Sequence, residues 1–223
     1  MSITENINRI RSEIPGNIKI IAISKTKSPA QILEAYNTGH LMFGENRVQE
    51  LTEKAGILPE DIQWHMVGHL QTNKVKQIIP FVRLIHSVDS LKLLGVINAE
   101  SLKINKIQDC LLEVYIAREE TKFGFNETEL ETILRSKEFA EFHNVRIVGL
   151  MGMATFIENE TVIREEFRNL ARIFKKTREE FFTNQDHFRE LSIGMSGDYK
   201  IAIEEGSTMV RIGTLIFGER NKS

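Results

Sequence analysis

Lys25 closes an apolar run, Ile21-Ala22-Ile23-Ser24-Lys25, and the two-residue period of a strand puts Ile21, Ile23 and Lys25 on one face. If the isoleucines face an apolar interior, the lysine stands at its rim. Burial there favours the neutral amine, and a neutral amine attacks an aldehyde to form a Schiff base. Taken by itself, a lysine in such a place is more commonly a solvated loop residue, as Lys27 is expected to be two positions on. A second segment, Gly194-Met195-Ser196-Gly197-Asp198, sets a serine between glycines. A tight turn of that kind brings N–H groups and a hydroxyl together on an anion, with Asp198 as side-chain cap of the helix that follows from Tyr199. An ordinary glycine-rich turn fits this loop equally well. In the third segment, Arg211-Ile212-Gly213-Thr214, the guanidinium and Gly213 share a face, and the Gly213 N–H and Thr214 can approach a phosphate from the side opposite Ser196. Together the three segments describe a site for a phosphorylated aldehyde, and pyridoxal 5′-phosphate is the obvious cofactor of that kind.

The elements that must position these residues follow from hydrophobic periodicity. Strands are expected at residues 19–24, 41–43, 62–67, 84–88, 110–116, 146–151, 189–193 and 209–212. Helices are expected between them at 30–38, 46–55, 74–79, 90–105, 127–137, 161–182 and 199–204, with an opening helix at 4–14. In the sixth of the inter-strand helices Phe167, Leu170, Ala171, Phe174 and Phe181 recur at helical spacing among Arg, Lys and Glu, which reads as packing of helix on barrel. Eight strand–helix units in 223 residues have the size and pattern of a single-domain (β/α)8 TIM barrel, with residues 1–15 as an N-terminal helix preceding it. An open doubly wound sheet is the alternative, weakened because no G-x-G-x-x-G follows the first strand. A barrel carries its reacting groups at the C-terminal ends of its strands and commonly holds phosphate after strands seven and eight. All three segments lie at such ends.

Composition narrows the class further. Lys and Arg number 29 against 31 Asp and Glu, and a net charge of −2 gives no reason to expect nucleic acid or an anionic membrane as partner. No apolar stretch approaches the length of a spanning helix, and the charged N-terminus resembles no secretory signal, so a soluble, cytoplasmic protein is expected. The one cysteine, Cys110, falls in an apolar run and reads as a buried structural thiol. His65 and His69 have a metal-pair spacing only on a helix, whereas Trp64-His65-Met66-Val67 reads as a strand running into a turn, and no metal is expected. Asn46, His65 and Ser87 follow or end strands two, three and four, and divide evenly between lining the pocket and packing or capping loops.

At this point the chain resembles the pyridoxal phosphate homeostasis proteins, which have the alanine-racemase-type barrel. The likeness runs through Ala22-Ile23-Ser24-Lys25-Thr26-Lys27, Phe43-Gly44-Glu45-Asn46-Arg47-Val48-Gln49-Glu50, Trp64 to Lys74, Gly149-Leu150-Met151, Gly194-Met195-Ser196 and Ser207 to Thr214. The resemblance implies that Lys25 holds pyridoxal 5′-phosphate as a Schiff base. It also implies that Ser196, Gly213 and Thr214 bind the phosphate, that Met195 lies beside the cofactor and that Arg211 faces the pyridine nitrogen. A fixed cation there disfavours protonation of that nitrogen and suits holding the cofactor better than deep carbanion chemistry. Thr121-Lys122-Phe123-Gly124 resembles a family segment but carries Phe123 where a small hydroxyl residue is usual. The opening helix looks short and is expected to cover the barrel base less completely.

The function so implied is a cytoplasmic pyridoxal-phosphate-binding protein of vitamin B6 homeostasis, without catalytic residues. A monomer is the default, and transient contact with pyridoxal-phosphate-dependent apoenzymes is the partner class that fits. The alternative is a pyridoxal-phosphate-dependent amino-acid racemase. Racemases of this barrel type take a tyrosine from a further C-terminal domain, whereas this sequence stops nine residues after Thr214, and neither Tyr36, Tyr115 nor Tyr199 lies in a segment resembling that motif. A Schiff-base aldolase using Lys25 on a sugar phosphate is open on the residues alone and set aside by the resemblance.

Overall fold

Reciprocal capping boxes start three of the helices. Ser2, Ser28 and Asn126 each accept a backbone N–H three residues on, while Glu5, Gln31 and Glu129 accept the cap residue's own N–H. A computed structural model describes residues 2–117 and 123–219. Its elements run α1 (Ile3–Glu13), β1 (Lys19–Ile23), α2 (Pro29–Tyr36), β2 (Met42–Glu45), α3 (Val48–Ala55), β3 (Gln63–Met66), α4 (Val75–Ile78), β4 (Leu84–Val88), α5 (Leu91–Leu102) and β5 (Gln108–Glu113). They continue with α6 (Glu127–Leu134), α7 (Lys137–Ala140), β6 (Val145–Met151), α8 (Glu160–Phe181), β7 (Glu190–Met195), α9 (Tyr199–Glu204), β8 (Met209–Ile212) and α10 (Thr214–Phe217).

The eight strands are parallel and close in chain order, β1 pairing with β2 on one side and with β8 on the other. The expected TIM barrel is therefore present, and the open sheet is excluded. Period-two alternation sorts the apolar residues into two layers. Ile21, Leu84, Leu111, Val148, Met151 and Met209 fill the barrel interior, with Ile23 and Met42 packed against them. A larger layer, including Ala22, Phe43, Trp64, Met66, Cys110, Phe167 and Leu170, lies between strands and helices. Phe174 and Phe181 pack on that layer, and Cys110 is buried within it.

Strand five begins at Gln108, two residues before the apolar run suggests. Gln108 donates to the Arg83 and Asp109 carbonyls, and Asp109 is held by Arg83 and Arg146, so polar residues that an apolar count skips continue the ladder. The helix expected at 127–137 breaks in two because Ser136 starts α7 by accepting the Phe139 N–H. The opening helix does not lie under the barrel. α10 has only four residues, and α1 fills the outer ring between it and α2, burying Ile3, Ile7 and Ile10 and joined by Asn6 to the Ile216 carbonyl (3.0 Å) and by Arg11 to the Thr38 carbonyl (2.8 Å). Thr121 and Lys122 lie outside the described residues.

A register shift between Cys110 and Leu111 brings Gly149 opposite β5, with its α-carbon pressed on β7 so that a β-carbon would sit 1.7 Å from the Glu190 carbonyl oxygen. No side chain fits without moving backbone. Gly149→Ala is expected to lose about 3 kcal/mol or more of stability, read as a lowered urea midpoint.

Candidate functional site

At the C-terminal end of the barrel, a cavity of about 470 Å³ is lined by Lys25 after β1, by Met195 and Ser196 at the end of β7, and by Arg211, Gly213 and Thr214 from β8 onward. That volume is in the range of small-molecule sites. The three segments singled out in the sequence thus meet in one place.

Lys25 follows a clamped backbone. The Ser24 hydroxyl donates to Glu45 Oε1 (2.6 Å), and the buried Lys54 ammonium donates to the Ser24 carbonyl (2.9 Å), to Glu45 Oε1 (2.8 Å) and to Glu50 Oε2 (3.0 Å). On the other side of Lys25, the Thr26 N–H donates to Glu50 Oε2 (2.8 Å), and Thr26 sits at φ +64°, a conformation a β-branched residue adopts at some cost. Burial pushes the Glu45 carboxyl up despite its bonds to Lys54 and Ser24. Glu50 is also disfavoured by burial, but the Thr26 N–H and Lys54 hold it below the usual carboxylate value. Glu45, Glu50 and Lys54 therefore act together on the turn that presents Lys25.

The loop after β7 depends on Gly194, whose φ is +94° and whose β-carbon would meet Ala202 Cβ at 2.6 Å. With that approach allowed, Ser196 turns toward β8 and accepts the Gly213 N–H (3.2 Å), joining the two loops. Asp198 precedes α9 but does not cap it through its side chain: Oδ1 accepts the Met195 N–H (2.5 Å) and tightens the Ser196 turn instead.

Arg211 is buried beneath these loops. It donates to the Ser192 carbonyl and hydroxyl (both 2.7 Å) and to the Gly152 carbonyl (3.0 Å). Burial pulls its pKa down to about 10, against the opposing pull of the Asp198 and Glu113 charges, so it stays a cation. Behind it the chain of contacts continues from Ser192 Oγ to His86 Nδ1 (3.0 Å) and from His86 Nε2 to His65 Nδ1 (2.9 Å). Burial keeps both imidazoles neutral, His65 at a pKa of about 3.

Asn46, His65 and Ser87 are not brought into the cavity that holds Lys25. His65 occupies the third position of β3, inside the barrel, and lines a different cavity at the strand starts. Ser87 donates to the Gly68 carbonyl (2.5 Å), tying β4 to the turn after β3, and Asn46 Oδ1 is buried with no hydrogen-bond partner. Sequence reasoning missed Glu45, Glu50, Lys54, Ser192 and His86. Only Glu45 and Glu50 carried a signal, as members of the quoted Phe43 to Glu50 motif.

The chain matches the family described as alanine racemase, N-terminal domain, over residues 1–221. It is 43% identical over 203 residues to the pyridoxal phosphate homeostasis protein of Aquifex aeolicus, covering 91% of this chain and 87% of that one. PipY of Synechococcus elongatus, solved with PLP bound, superposes with a TM-score of 0.88 at 32% identity, over 97% of this chain and 100% of that chain. An alanine racemase of Clostridium difficile shares the fold alone, with a TM-score of 0.76 at 13% identity, this chain spanning 57% of it.

Removing the Lys54 ammonium leaves Glu45 buried without its cation. Lys54→Met is expected to lose about 3–5 kcal/mol in urea denaturation, and the double variant Glu45→Gln/Lys54→Met to recover much of it. Burial and the Asp89 charge raise the Glu113 pKa from 4.5 to about 7, so the unfolded chain gives up this proton at lower pH than the folded one. Stability then falls as pH rises from about 4.5 to 7 and stays reduced above that window. Glu113→Gln is expected to exceed the parent by about 2 kcal/mol at pH 8, an advantage that fades below pH 4.5.

Proposed function

The chain belongs to the alanine racemase N-terminal domain family and, within it, to the pyridoxal phosphate homeostasis proteins, and on that premise we propose that it binds pyridoxal 5′-phosphate through Lys25 and serves the intracellular supply of that cofactor without turning over a substrate. The observation that carries the reading is the convergence of an amine, two hydroxyls and a buried guanidinium in one cavity from three strand ends. The residues fit the group. Lys25 would hold the cofactor, its amine being the nucleophile that suits an aldehyde. Ser196 accepts from Gly213 and so has its own O–H to give to a phosphate oxygen, and Thr214 adds a second hydroxyl across the joined loops.

When bound, the cofactor supplies an electrophilic carbon conjugated to a pyridine ring. Arg211, which has no acceptor and is held by Ser192 and Gly152, would offer a donor and a fixed positive charge to a cofactor in this cavity. Beside a pyridine nitrogen such a charge would oppose protonation, which would suit retention of the cofactor over turnover. Met195 packs at the cavity wall, and Asp198 keeps its backbone in place. Of the tyrosines that a racemase would need as second base, Tyr199 donates to Glu13 (2.6 Å) and Tyr36 to Asp61 (2.9 Å), both outside this cavity. A cytoplasmic monomer that meets pyridoxal-phosphate-dependent apoenzymes transiently completes the proposal.

Borohydride reduction of the protein loaded with pyridoxal 5′-phosphate, followed by peptide mass analysis, is expected to find the pyridoxyl-phosphate adduct on Lys25 and none there in Lys25→Ala. An unmodified Lys25 overturns the assignment of that lysine. Turnover of L- or D-amino acids that Lys25→Ala abolishes overturns the non-catalytic reading.

A further inference from the structure

The opposite end of the barrel holds a second cavity, of about 320 Å³, to which all eight strands contribute residues. Its walls carry two triads in which one buried acid is shared by two cations. Asp109 binds Arg83 (2.9 Å) and Arg146 (2.6 Å) on one side. Glu190 binds Lys19 and Arg189 on the other. Each triad is left with one net positive charge, and the exposed Asp186 offsets only one of the two. Leu84 and Met209 give the cavity an apolar floor beside the His65 ring.

His65 is 3% exposed, and its Nε2 is a buried polar atom with no hydrogen-bond partner. The contact chain from Arg211 bears on whether that atom carries a hydrogen. A guanidinium only donates, so Ser192 Oγ accepts from Arg211. The one remaining contact of that hydroxyl among the described residues is His86 Nδ1, and the arrangement that leaves no hydroxyl hydrogen stranded has that nitrogen accept it. A neutral imidazole that accepts at one nitrogen donates at the other, so His86 Nε2–H donates to His65 Nδ1. By the same rule His65 Nε2 carries a hydrogen. The barrel base thus has a buried donor that no group among the described residues satisfies.

We propose that the cavity at the barrel base is a second binding site, for a small carboxylate anion whose oxygen accepts the His65 Nε2 hydrogen. A carboxylate is acceptor-only, which complements a donor and a cavity lining of net positive charge, and a short carbon chain suits the apolar floor. This site is independent of the proposed cofactor cavity.

Succinate serves as the probe, with 1,4-diaminobutane as a chain of the same length and opposite charge. Long-range proton–nitrogen spectra of histidine-labelled protein are expected to show a saturable shift at His65 Nε2 with succinate and none with the diamine. Arg83→Gln/Arg146→Gln is expected to weaken succinate about tenfold. Lys19→Gln, on the opposite wall, makes the same comparison in a protein that keeps the Asp109 triad intact and is expected to weaken it severalfold. No saturable shift at His65, an equal response to the diamine, or undiminished affinity in Lys19→Gln overturns the proposal.

Discussion

A buried ammonium group shared by two carboxylates governs the end of the first strand. Charges taken out of water are tolerated only where partners replace the solvent, so Lys54, Glu45 and Glu50 cannot drift independently of one another. Because Lys54 also holds the Ser24 carbonyl and Glu50 the Thr26 N–H, the residue between Ser24 and Thr26 has its backbone fixed from both sides. The left-handed Thr26 conformation persists because these bonds hold it. The turn that presents Lys25 is thus set by groups outside the cavity that Lys25 lines with Ser196, Gly213 and Thr214.

The barrel divides its polar interior between two ends. At the C-terminal mouth the groups come from loops, where backbone can be shaped by Gly194 and Asp198. At the strand starts they come from the ladder and the residues just before it, with one acid shared by two cations on each side. Between the ends runs a file of hydrogen bonds through Arg211, Ser192, His86 and His65.

How much of this the sequence carries depends on which physical scale fixes each feature. Lys25, Arg211 and Gly213 are legible because period-two alternation and the ends of apolar runs are local properties. The closed barrel is legible from the count of strand–helix units. His65 was misplaced because depth inside a barrel depends on how far each strand is shifted against its neighbours, and no single strand records that shift. Lys54 and Glu50 read as ordinary helix charges, since only the fold brings α3 against the Ser24 turn. Asp198 has the right type and position for a cap, yet the Met195 N–H competes for it and wins. The start of β5 was hidden because Gln108 and Asp109 are buried polar residues, whose partners lie on other strands.

The packing of α1 between α2 and α10 has a mechanical side. A cylinder of strands laid down in order has one seam, where the first strand meets the last, and it is the only pairing not supported by a short connection. Here an early helix crosses the outside of that seam and is stitched by Asn6 to the segment just after β8. The barrel cannot unzip at β1 and β8 while the stitch holds, so fraying from either side must first lift a helix whose isoleucines are buried. Fraying of that kind would part the strands bearing Lys25 and Arg211, and α1 thereby guards the site from the far side of the wall.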